Sequence, residues 1–68
     1  MLEKEQISNL KNNQSVIIGG GEGSAEIWRQ NDMYFLFEIP NFGGMPNFTK
    51  AFALWDINAI INTVNSWT

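Results

Sequence analysis

The sequence predicts an α+β fold: an antiparallel meander of three or four strands, with N- and C-terminal helices packed on one face (α-β-β-β-(β)-α). Three observations predict it. The run Met33-Tyr34-Phe35-Leu36-Phe37-Glu38-Ile39 is aromatic-rich, preceded by Asn31-Asp32 and ended by Pro40, which is the form of a central strand. Asn31-Asp32 is itself a two-residue hairpin signal, because both residue types accept positive φ. At the C-terminal end, Ile57, Ile60, Ile61, Val64 and Trp67 recur at helical spacing as one apolar stripe. A chain of 68 residues makes one domain, 1–68, near the lower limit for folding without staples.

Taken in order, residues 2 to 12 read as a helix in which Leu2, Ile7 and Leu10 share one arc. Early acidic residues and Lys11 near its end suit the helix dipole, and Asn12-Asn13 supplies a left-handed stop. Ser15-Val16-Ile17-Ile18 is a β-branched strand. The Gly19–Gly23 segment connects it onward. Its spacing matches neither G-x-G-x-x-G nor a Walker loop, and Glu22 would repel a phosphate.

Ala25 to Gln30 forms the next strand. A two-residue loop at Asn31-Asp32, read as a type I′ turn, fixes the register: Gln30 faces Met33, Arg29 faces Tyr34, Trp28 faces Phe35, Ile27 faces Leu36, Glu26 faces Phe37 and Ala25 faces Glu38. One face then carries Trp28, Met33, Phe35, Phe37 and Ile39, and is expected to be the core. The other carries Ile27, Arg29, Tyr34 and Leu36. Glu26 and Glu38 fall on opposite faces, so they cannot serve as a catalytic carboxylate pair.

Residues 40 to 47 are a Pro/Gly/Asn loop containing Phe42 and Met45. Phe48 to Leu54 reads as a further strand with Phe48, Phe52 and Leu54 on one side. Asp56 is the expected N-cap of the last helix, with Trp55 stapling onto Ile60 and Trp67 covering the core edge.

Composition bounds the function. The chain has no cysteine and no histidine, which removes Cys/His zinc sites, Ser-His and Cys-His nucleophiles and imidazole acid/base chemistry. No enzymatic activity and no cofactor or metal is expected. Net charge is −3, and Lys4, Lys11, Arg29 and Lys50 are scattered singly, so nucleic-acid binding is not expected. No run of about eighteen apolar residues is present, so no membrane span is expected. The charged start Met-Leu-Glu-Lys-Glu-Gln does not read as a secretory signal, and a cytoplasmic location is expected. Frequent asparagine with scarce alanine points to an AT-rich genome, such as a low-GC bacterium, a phage or a plasmid. Nine aromatics is a heavy load, and a core this small hides about five or six of them.

The element order resembles that of double-stranded-RNA-binding domains. Where those carry a Lys-rich start to the second helix, this chain reads Trp55-Asp56-Ile57-Asn58, which removes the implied RNA contact. Phe37-Glu38-Ile39-Pro40-Asn41-Phe42-Gly43-Gly44 is similar in style to the loop of HicB-type antitoxins, without their specific residues. Neither resemblance assigns the chain to a family.

The function expected from these readings is a non-enzymatic, acidic protein-binding module: an inhibitor, antitoxin or regulatory subunit. Its expected contact surface is Ile27, Arg29, Tyr34 and Leu36 with the Phe42/Met45 loop. The partner is a protein, with a homodimer as the simplest case. The alternative is a nucleotide- or flavin-like small-molecule binder using the aromatic sheet face and the Gly19–Gly23 loop.

Overall fold

A computed structural model describes residues 2–20, 23–40 and 44–67. Helix α1 (Lys4–Ser8) is followed by strands β1 (Ser15–Gly20), β2 (Gly23–Gln30), β3 (Met33–Ile39) and β4 (Asn47–Ala53). A 3-10 turn (Leu54–Asp56) then runs into helix α2 (Ile57–Asn65). The strands form one antiparallel sheet in sequence order, β1-β2-β3-β4. The fold is the expected α+β meander.

The hairpin register is the one that the two-residue loop dictates, residue for residue from Gln30↔Met33 to Ala25↔Glu38. The turn type differs. Asn31 has φ 55° while Asp32 is not among the positive-φ residues, and a type I′ turn needs positive φ at both central positions. The side-chain amide of Asn12 supports this turn by accepting the Asn31 N–H at 2.8 Å. Its neighbour Asn13 takes the left-handed conformation (φ 66°), and its N–H donates to the Arg29 carbonyl at 2.8 Å. The Asn12-Asn13 pair therefore does turn the chain, but it docks that turn onto β2 instead of ending a long helix.

Helix α1 is shorter than the expected 2–12. The chain leaves the helix at Asn9, a residue type that favours helix ends over helix interiors. The predicted arc still holds, because Leu2, Ile7 and Leu10 are all buried. The Glu3 N–H donates to Gln6 Oε1 at 2.7 Å, closing the first turn. The side chain of Asn65 joins the two ends of the chain: its Oδ1 accepts the Leu2 N–H at 2.9 Å and its Nδ2 donates to the Leu2 carbonyl at 3.5 Å.

At the other helix the expected cap and staple are not formed. Asp56 makes no side-chain capping hydrogen bond, since the 3-10 turn feeds α2 directly, and Trp55 is 82% exposed and so covers nothing at Ile60. Trp67 does sit half-buried against the core, as expected.

The largest correction concerns which face of the sheet is covered. Ile27 and Leu36 have no exposed surface, and Ala25, Tyr34 and Phe52 are buried with them beneath Leu2, Ile7, Leu10, Ile60 and Val64. The face assigned to a partner is thus the core. The face assigned to the core (Trp28, Met33, Phe35, Phe37, Ile39) is the open one. Aromatic burial follows: Tyr34 and Phe52 are the only buried aromatics among the described residues, against an expected five or six.

A bulge explains part of the difference. Leu36 pairs with Lys50, but Phe37 pairs with Phe48, so Thr49 is an extra residue in β4. It resets the alternation and puts Phe48 on the open face although Phe52, four residues on, points into the core. Gly44, at φ 109°, holds the loop before β4 in a conformation that side-chain-bearing residues rarely adopt.

Truncating the covered face should cost far more than truncating the open one. Ile27→Ala and Leu36→Ala are each expected to lose about 2–5 kcal/mol in urea titrations. Phe48→Ala, at an exposed position, should fall well short of that range.

Candidate functional site

The described residues expected at a contact surface divide into three groups. Ile27, Tyr34 and Leu36 are buried in the core and offer nothing to a partner. Arg29 is half-buried, and its NH1 donates to the Leu10 carbonyl at 2.8 Å, holding the segment after α1 against β2. Its backbone joins the same contact, with the Arg29 N–H donating to the Gln14 carbonyl at 2.9 Å. Met45 alone meets the expectation of exposure, at 83%. Phe42 lies outside the described residues.

The polar ends on the covered face explain why it reads as mixed in sequence. Tyr34 buries its ring and points its hydroxyl at the Ile7 carbonyl, 3.5 Å away. Lys50 extends over the Phe52 ring, with Nζ 5.2 Å from the centroid. Arg29 likewise reaches a backbone acceptor at the edge. Lys50 and Arg29 pack their apolar stems and direct their charged ends to a ring and a carbonyl, while the Tyr34 hydroxyl and the Arg29 Nε stay buried.

The open face gathers most of the exposed apolar side chains of the sheet. Pairing places Ser15, Trp28, Phe35 and Ala51 in one cross-strand row and Ile17, Glu26, Phe37 and Phe48 in the next. Phe48 joins the rows: its ring lies 6.3 Å from Phe35, tilted, and 5.7 Å from Phe37, edge-on. Phe35 and Phe37 are half-buried, as is Met33, while Ile17, Trp28 and Phe48 are exposed. Phe48 is 58% exposed and rises beside a hollow of about 290 Å³ lined by Trp28, Gln30, Phe35 and Phe37. Glu26 is the one charged side chain in these two rows. Glu38 lies across from Ala25, on the other face, so the two carboxylates are kept apart as the register requires.

Comparison with protein-family models, curated proteins and solved structures finds no match to this chain. The site is therefore read from its geometry alone. Sequence reasoning missed Ile17, Trp28, Phe35, Phe37 and Phe48 as surface residues, yet one signal pointed to them. The aromatic surplus had to lie somewhere, and these strand positions hold most of it.

Removing the guanidinium tests the assignment of Arg29 to the fold. Arg29→Ala is expected to lower stability by about 1.5–3 kcal/mol, the range for a hydrogen bond to a charged group. Tyr34→Phe, which loses only the long bond to Ile7, should lose less than about 1 kcal/mol. Chemical denaturation of the two variants measures both.

Proposed function

We propose that the protein is a non-enzymatic protein-binding module that docks its partner on the open sheet face. Inhibitors, antitoxins and regulatory subunits are the roles this fits. One observation carries the reading: a four-stranded sheet with helices on one side presents Ile17, Trp28, Phe35, Phe37 and Phe48 together on the other. A contiguous apolar patch of this kind is uncommon on a protein that works alone, because leaving it in water forgoes the free energy of burying it. Aromatic residues and Met are also the types enriched at the centres of interfaces, and Met45 stands at the end of the loop that enters β4. The lack of cysteine and histidine, and the separation of Glu26 from Glu38, support a binding role over a catalytic one.

The small-molecule reading has one observation in its favour, the hollow between Trp28 and Phe37. Its volume of about 290 Å³ sits at the lower limit of ligand pockets. Gln30 is the single polar side chain lining it, where a nucleotide or flavin needs several convergent polar groups. A protein surface is the better occupant.

Phe37→Lys is expected to weaken partner binding about 30-fold or more, the scale of an interface hot spot. Met45→Ala, away from the aromatic rows, should change it less. Affinity measured by calorimetry on a partner recovered by cross-linking decides this. Binding that ignores Phe37→Lys, or saturable quenching of tryptophan fluorescence by flavin or nucleotide, would overturn the reading.

A further inference from the structure

We propose that the partner for the open face is a second copy of this chain, in a two-fold dimer that stacks the two sheets face to face. This inference rests on the reading of that face as a docking surface. Three observations select the second copy.

The first is area. The two longer extents of the molecule, 31 and 21 Å, bound the projected face at about 650 Å², their product. Interfaces of standard size bury about 600–1,000 Å² per partner. Nearly the whole face must therefore be used, and a flat sheet of equal size uses all of it. A helix or an extended peptide would cover only a strip.

The second is self-complementarity of shape. A two-fold interface requires that a projection and its matching recess lie on the same surface. Phe48, on β4, projects, and the hollow between Trp28, Gln30, Phe35 and Phe37 lies beside it toward β2. A two-fold axis between the sheets presents this same pair of features, ring and recess, from each copy to the other.

The third is charge. Each copy carries −3, so two copies meet best where charge is sparse. Glu26 is the one charged side chain in the two aromatic rows, and it sits on β2.

Sedimentation equilibrium on the full chain from micromolar to millimolar concentration tests the proposal. The expected result is a dimer whose dissociation constant rises about 30-fold or more in Phe37→Lys and in Phe48→Lys. Trp55→Lys, in the 3-10 turn outside the sheet, should dimerise as the parent does, and circular dichroism should show all of these variants folded. A second measurement does not depend on those variants folding. With Trp55 and Trp67 replaced by Phe, Trp28 is the only indole, and its quenching by acrylamide should increase on dilution in step with dissociation.

A dimer that persists in both face variants, or that Trp55→Lys abolishes, would overturn the inference. So would Trp28 quenching that is independent of concentration. A chain that stays monomeric at millimolar concentration also overturns it. If Phe37→Lys then abolishes binding of a different protein, only the choice of occupant has failed. If Phe37→Lys changes no interaction, the docking surface has failed too.

Discussion

The rest of the structure depends on one packing choice, the seating of both helices on the face that holds Ile27 and Leu36. Leu2, Ile7 and Leu10 reach it from the N-terminal side, and Ile60 and Val64 from α2. A chain this short can build only one apolar core, so covering one face commits the other to water or to a partner. The N-terminal segment, the turn after it and α2 are all fastened to that arrangement. Asn65 holds the backbone of Leu2, Arg29 holds Leu10, and Asn12 holds the turn between β2 and β3. None of these polar contacts drives the fold. They fix where the apolar pieces sit once burial has brought them together.

The two faces differ in the size of their side chains as much as in their exposure. The covered face is mostly aliphatic, with Tyr34 and Phe52 as its aromatics, while the open face concentrates Trp28, Phe35, Phe37 and Phe48. Those rings partly shield one another through the Phe48 contacts to Phe35 and Phe37. Mutual packing lowers the cost of leaving them uncovered but does not remove it. The bulge at Thr49 contributes directly: without the extra residue Phe48 would turn to the helix side, and the projecting ring beside the hollow would be lost.

Much of this was legible in the residues. The α+β class, the aromatic central strand, the full β2–β3 register, the buried arc of Leu2, Ile7 and Leu10 and the half-buried Trp67 all follow from periodicity and turn chemistry. The contact surface did not follow. Ile27, Tyr34 and Leu36 alternate with Trp28, Phe35 and Phe37, and both sets are apolar enough to be a core. Arg29 made the first set look wet, because a sequence does not show that its guanidinium ends on a backbone carbonyl.

The sequence by itself determined which residues share a face, since side chains alternate strictly along a strand and a two-residue turn allows one register. It also determined the helical stripe that must be buried, because Ile60 and Val64 recur at the helical period. Only the tertiary structure decided which face receives that stripe. The choice depends on how the chain leaves β4 through Leu54–Asp56, and no local pattern encodes it. When both faces of a sheet are apolar, hydrophobicity cannot rank them. The path of the connections does, and here it leaves the larger aromatic rings uncovered.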